Sequence, residues 1–164
     1  MPNRREFFKA VGNTTAGIYL LGHGLDAAAQ TGRKEIVIGG SEVKIVDIHA
    51  HCVFREVADL VAGTDFDREF PDWYLLGDFR MDRMDERGID VAALTVNNYW
   101  WYGADRELAS AIVQTHDEGL AGWCGVHPDR FVALTSPALQ YPELAAEQVE
   151  YAVNELGHRG VSVG

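Results

Sequence analysis

Cationic side chains are scarce in this sequence: 14 Lys and Arg stand against 25 Asp and Glu, for a formal charge of −11. No stretch gathers them into a basic stripe, so a phosphate-backbone partner is excluded and no nucleic acid is expected to bind. Cysteine is scarcer still. Cys52 and Cys124 are the only two, so at most one disulfide could form, and stability has to come from a packed core. Long apolar runs are missing as well. The one mildly apolar stretch near the start, "NTTAGIYLLGHG", is broken by Asn13, Thr14, Thr15 and several glycines, whereas a spanning helix needs about 20 largely apolar residues. What the chain does have is 47% apolar residues spread along 164 positions, as suits a soluble globular protein.

The first thirty residues read as an address rather than a fold. "NRREFFKAVG" joins the pair Arg4 and Arg5 to Phe7, Phe8 and Lys9, and "DAAAQ" closes the segment with Ala27 and Ala29 in a small-x-small cleavage pattern. This looks like a bacterial twin-arginine export signal over residues 1–29, with Asn3 and Phe8 departing from the commoner residues. A periplasmic or secreted location is then expected, with no stable membrane insertion once the signal is removed. An amphipathic N-terminal helix or an uncleaved anchor are the alternatives. Such substrates fold before export in a reducing cytoplasm, which predicts two free thiols, Cys52 near the site and Cys124 packed at a helix end.

From residue 30 the pattern alternates strand and helix. "EIVIGGSEVKIV" reads as a hairpin turning at Gly39 and Gly40, its second arm running into a buried strand, "KIVDIHAH". A long aromatic and charged segment follows, with a short helix near Val57 to Val61, and is read as a lid. Phe79, Met81 and Met84 mark a helix stopped by Gly88, and "IDVAALTV" is a buried strand. Asp105 caps a helix running to about Cys124, with Leu108, Ile112, Leu120 and Cys124 on its buried stripe. "RFVALTSPAL" is the next strand. Pro142 opens a helix that buries Ala145, Val149, Ala152, Val153 and Leu156 and stops at Gly157, after which "RGVSVG" begins another strand.

Strands alternating with helices demand parallel pairing through right-handed crossovers, hence an α/β protein. No Gly-rich phosphate loop follows the first strand, which weakens a dinucleotide-binding fold and favours a (β/α)₈ TIM-barrel type. A full barrel takes about 250 residues. Residues 30–164 are therefore expected to be the N-terminal half of one barrel domain, truncated to about the first four strands and three helices and preceded by a β-hairpin.

The chemistry gathers in "VDIHAH". Residues two apart on a strand share a face, so Asp47, His49 and His51 line up together, and burying them requires compensation. A divalent cation, most simply Zn²⁺, held by His49 and His51 would provide it, with Asp47 orienting a ligand ring or a neighbouring backbone group. Rings that face away from each other would undo this reading. The bland alternative is two surface histidines on an edge strand with Asp47 solvated. Tyr99, Trp100, Trp101 and Tyr102 follow the second strand; the first three are candidates to stack a planar substrate, or equally to pack beneath the long first loop or against a second subunit. Asn97 and Asn98 either orient a carboxylate or make the turn. His116 is read as a packing residue whose ring finds a local partner. His127 and His158 are turn residues, and His23 lies in the export signal.

The "VDIHAH" motif, together with "MDERGIDVAALTV", "NNYWWYGADRELA" and "HPDRFVALTSPALQYPELAAEQVEYAVNELGHRGV", resembles the amidohydrolase superfamily, in its amidohydrolase-related branch typified by aminocarboxymuconate-semialdehyde decarboxylase. That resemblance implies that His49 and His51 match the first two metal ligands and Asp47 the acidic residue before them. The remaining ligands, a histidine and an aspartate of later strands, and the catalytic residues would lie beyond Gly164, leaving the chain as given inactive. It further implies a carboxy-lyase (decarboxylase) acting on an unsaturated or aromatic carboxylic acid, in a protein that is usually a homodimer. A metal-dependent hydrolase of the same fold and a non-catalytic α/β module are the alternatives.

Overall fold

The structure, a computed structural model, describes residues 32–96 and 101–164. The export-signal reading of residues 1–29, and Asn97, Asn98, Tyr99 and Trp100, lie outside the described residues.

Gly39 (φ 61°) and Gly40 (φ 84°) are both left-handed, which is what a two-residue hairpin turn between right-twisting strands requires. They join strand β1 (Val37–Ile38) to β2 (Ser41–Glu42) with Val37 opposite Glu42. The expected continuity of the second arm with the histidine motif does not hold. β2 ends at Glu42, and β3 (Val46–His51) belongs to a different sheet. Asp90 makes the change of direction: its Oδ2 accepts from the Ile45 amide at 2.7 Å, while the Asp90 amide donates to the Ile45 carbonyl at 2.9 Å.

The main sheet has the order β3-β4-β5, all parallel, with β4 (Val91–Thr95) in the middle and β5 (Phe131–Ala133) beside it. β4 is buried from Ala92 onward, as an apolar run between two parallel neighbours should be. β3 departs from the expected buried strand. Among the described residues it has a neighbour on one side only, and of its six residues only Ala50 is buried, Ile48 being 77% exposed. The fourth strand is reduced to a single parallel bridge, Thr135 to Val161, supported by bonds from Arg159 N to the Ala133 carbonyl (2.8 Å) and from Ser162 N to that of Thr135 (2.7 Å).

Helix α1 (Arg55–Val61) follows β3. Helix α2 (Phe79–Arg87) buries Met84 and stops at Gly88, whose φ of 69° closes the last turn. The long helix α3 (Arg106–Val126) is capped by Asp105, whose Oδ1 accepts from the Leu108 amide at 2.9 Å. Its buried face is turned from the expected stripe: Ala109, Ile112, Val113, His116, Asp117 and Leu120 are inside, whereas Leu108 and Cys124 are only half-buried. Helix α4 (Pro142–Asn154) has Pro142 in its first turn and buries Leu144, Ala145 and Ala152. Val149 and Leu156 are half-buried, and Val153 is exposed. The helices cover one apolar layer built on Ala50, Leu94, Leu120 and Phe131, and a second one holds Val57, Val61, Val96 and Ile112. Order, parallel pairing and the helix after each strand agree with the α/β reading.

Candidate metal centre

The C-terminal end of β3 delivers the two histidines to one point. The Nε2 atoms of His49 and His51 stand 2.8 Å apart, and their ring centroids 4.4 Å. The strand's pairing with β4 shifts register between Asp47 and Ala50, a local irregularity of the kind that re-aims side chains. Asp47 supports that bend through the main chain: its Oδ1 accepts from the His49 amide at 3.0 Å. Of the two roles open to it, the structure thus gives Asp47 the backbone one.

His51 is the more enclosed of the pair. Burial, followed by the His49 and Arg80 charges, holds its pKa below the usual imidazole value against a smaller opposing pull from Asp47, so the ring favours the neutral form that can act as a ligand. Two residues absent from the sequence reading hold it. The hydroxyl of Tyr74 lies 3.0 Å from His51 Nδ1, and Arg80 Nη2 donates to the His51 carbonyl at 2.7 Å. Tyr74 comes from the long segment after β3, which is pinned at its far end rather than swinging free: Val53 N donates to the Tyr74 carbonyl at 3.0 Å and Leu76 N to that of Val53 at 3.1 Å. No periodicity marked Tyr74. Arg80 was legible only as the residue four positions before Met84 on α2. A cleft of about 210 Å³ opens beside His51, with Asp47, Trp73, Arg80, Arg83 and Arg87 on its walls.

Trp101 takes the packed position that was the alternative to stacking a substrate. It is 7% exposed and packs with Val57, Val61 and Phe66 beneath the first loop, and the cavity it borders, about 10 Å³, has no room for an aromatic ring. Packing wins there because α1 supplies an apolar surface that the sequence pattern placed only loosely. Tyr99 and Trp100, the companions proposed for it, are outside the described residues. His116 also differs from expectation. It is buried with ring centroids of Trp101 and Phe54 at 5.2 and 5.9 Å, and neither ring nitrogen finds a hydrogen-bond partner among the described residues. His127 packs on Trp123 and Phe131, and His158 Nε2 lies 3.1 Å from the Asp117 carbonyl. Asp117, which the sequence left unremarked, is buried and accepts from Thr135 Oγ1 at 2.7 Å; burial pushes its carboxyl up to about 7. Cys52 and Cys124 are free thiols, Cys52 with its side chain in the sheet–helix core.

The two imidazoles fit a divalent cation as part of a ligand set. A transition-metal ion sits about 2.0–2.1 Å from each ring nitrogen, so nitrogens 2.8 Å apart can share one with a small opening of the pair. Among the described residues no third His, Cys, Asp or Glu joins them. Catalytic zinc takes three protein ligands, and the described residues offer two imidazoles at this point.

The amidohydrolase family profile matches residues 46–164. A gamma-resorcylate decarboxylase of Rhizobium sp. (strain MTP-10005) is 36% identical over 87 residues, covering 52% of this chain and 27% of that protein. The crystal structure of 2,6-dihydroxybenzoate decarboxylase from Rhizobium superposes with a TM-score of 0.61 at 30% identity, over 72% of this chain and 37% of that one. A dihydroxybenzoic acid decarboxylase from Polaromonas sp. JS666, solved with bound manganese and the inhibitor 2-nitroresorcinol, gives 0.59 at 29% identity over 72% and 37%. The matched segment thus spans roughly a quarter to two fifths of these proteins' own lengths. These structural neighbours are TIM-barrel proteins, and the parallel βα units described above are a partial version of that architecture.

Proposed function

This chain belongs to the amidohydrolase family, and we propose that it carries the first two metal ligands, His49 and His51, of a metal-dependent carboxy-lyase acting on a hydroxylated aromatic carboxylic acid. The observation that carries the reading is the convergence of two imidazoles, Nε2 to Nε2 at 2.8 Å, at the C-terminal end of a parallel strand, where barrel enzymes build their sites. The decarboxylases of dihydroxybenzoic acids among its relatives support the substrate class.

A bound divalent cation supplies Lewis acidity to a carboxylate or phenolate oxygen and lowers the pKa of a coordinated water. The chain's own residues present ring lone pairs from His49 and His51, fix the His49 backbone through Asp47, and hold His51 from both sides through Tyr74 and Arg80. Loss of carbon dioxide from an aromatic acid breaks the ring-to-carboxyl bond and leaves its electron pair on the ring carbon, where a proton takes it up. Imidazole ligands suit zinc among other transition metals, and manganese is present in the Polaromonas relative.

The test, on the full-length enzyme, is metal content by mass spectrometry together with carbon dioxide release from 2,6-dihydroxybenzoate after reconstitution with Zn²⁺ or Mn²⁺. The double variant His49→Ala, His51→Ala should purify with less than a tenth of the parent's metal and lose turnover with either ion. Unchanged metal content would refute the ligand assignment.

A further inference from the structure

A neutral imidazole carries one ring proton, and only the bare nitrogen can bind a metal. His51 therefore serves as a ligand through Nε2 when its proton rests on Nδ1. The atom facing Nδ1 is the Tyr74 hydroxyl, 3.0 Å away, and a phenol can accept a hydrogen bond as well as donate one. Tyr74 is 5% exposed, and its position is set by the main chain. Its amide donates to the Pro71 carbonyl at 2.8 Å and its carbonyl accepts from Val53, two residues beyond His51 itself. The phenol and the imidazole thus ride on one hydrogen-bonded frame. Arg80, reaching the His51 carbonyl from α2, fixes the other side. His49, by contrast, is exposed to solvent.

We propose that Tyr74 is a positioning residue that accepts a hydrogen bond from His51 Nδ1 and thereby keeps His51 Nε2 bare, preset for the metal. The inference rests on His49 and His51 being ligands. It also accounts for the 2.8 Å contact between the two rings, with His49 Nε2–H donating to the bare Nε2 of His51. Metal binding then asks only the solvent-exposed ring to move its proton. His51 presents the same lone pair before and after.

The experiment uses the intact protein labelled with ¹⁵N. Ring nitrogen shifts report the tautomer of His51 in the metal-free parent, and competition with a chromogenic chelator reports Zn²⁺ affinity for the parent, Tyr74→Phe and His51→Ala. The Nδ1–H tautomer is expected at His51 in the parent. Tyr74→Phe keeps the ring packing, and should give a mixture of tautomers and weaken Zn²⁺ binding about 10- to 100-fold. A residue that merely packed would leave the tautomer unmoved. An Nε2–H tautomer at His51 in the parent overturns the inference whether or not any variant folds. If His51→Ala weakens binding while Tyr74→Phe retains parental affinity and tautomer, the role of Tyr74 fails and the metal site stands. If His51→Ala leaves affinity unchanged, the ligand assignment itself fails.

Discussion

His116 offers the most direct check on the packing described above. The ring is 2% exposed, pressed between Trp101 and Phe54, and burial pushes its pKa down to about 3 from an ordinary 6.5. In the unfolded chain the same ring protonates near 6.5, so between pH 6.5 and 3 the unfolded state binds the extra proton and acid favours unfolding. The stability that neutral His116 preserves is fully present above pH 6.5 and is lost as pH falls towards 3. One proton per molecule corresponds to about 1.4 kcal/mol per pH unit, or about 2 kcal/mol between pH 7 and 5. His116→Phe keeps an aromatic ring in the slot and removes both the titration and two buried nitrogens that lack partners among the described residues. Urea unfolding followed by tryptophan fluorescence should find the variant at least as stable as the parent at pH 7, with the gap in its favour growing by about 2 kcal/mol at pH 5. Asp117, raised by burial to about 7, acts in the opposite direction, because its neutral form is favoured in the folded state. It is common to both proteins and drops out of the difference. A gap that stays constant or narrows towards pH 5 would mean that the ring is protonated or hydrogen-bonded inside the fold.

Two further outcomes follow from local geometry. A Cβ at Gly88 would lie 2.5 Å from the Lys34 carbonyl oxygen and 2.8 Å from Ile36 Cγ1, with φ at 69°, whereas Gly63 has a φ of 74° and open space around it. Gly88→Ala should therefore cost about 3 kcal/mol or more in urea unfolding and Gly63→Ala about 1 kcal/mol, a difference that isolates the clash from the backbone penalty. Burial pushes the Cys52 thiol up to about 12 and that of Cys124 up to about 11. Iodoacetamide at pH 8, followed by mass spectrometry, should label both at least about 100-fold more slowly in the native protein than in urea; rapid native labelling of Cys52 would contradict its place in the core.

Features set by chemistry close in the chain were readable in advance. Gly39 and Gly40 make a turn because only such residues sit easily at positive φ twice in succession, Gly88 ends α2 for the same reason, and Asp105 caps α3 with its own carboxylate. What escaped depends on neighbours distant in sequence. Tyr74 reaches His51 across 23 residues, and Asp90 reaches Ile45 across 45, splitting the expected continuous strand in two. The buried face of α3 was misplaced because it contains Asp117, a polar residue that an apolar stripe omits, beside the expected Ile112, His116 and Leu120. Trp101 looked like a platform from its place after a strand, and only the surface offered by α1 shows why it turns inward.

The energetic reason for the cation proposed at His49 and His51 also changes once the structure is considered. From the sequence, burial was what demanded compensation; among the described residues β3 pairs on one side only and His49 is exposed. Proximity takes its place. Two imidazoles with nitrogens 2.8 Å apart can share a single proton, but two protonated rings at that distance repel each other, and His49 indeed lowers the pKa of His51. Holding the rings together through the bend at Asp47, the bond to Tyr74 and the bond from Arg80 disfavours the doubly protonated pair while leaving intact its capacity to donate two lone pairs to one metal. On the proposed ligand assignment, the cluster discriminates between protons and a divalent ion by geometry.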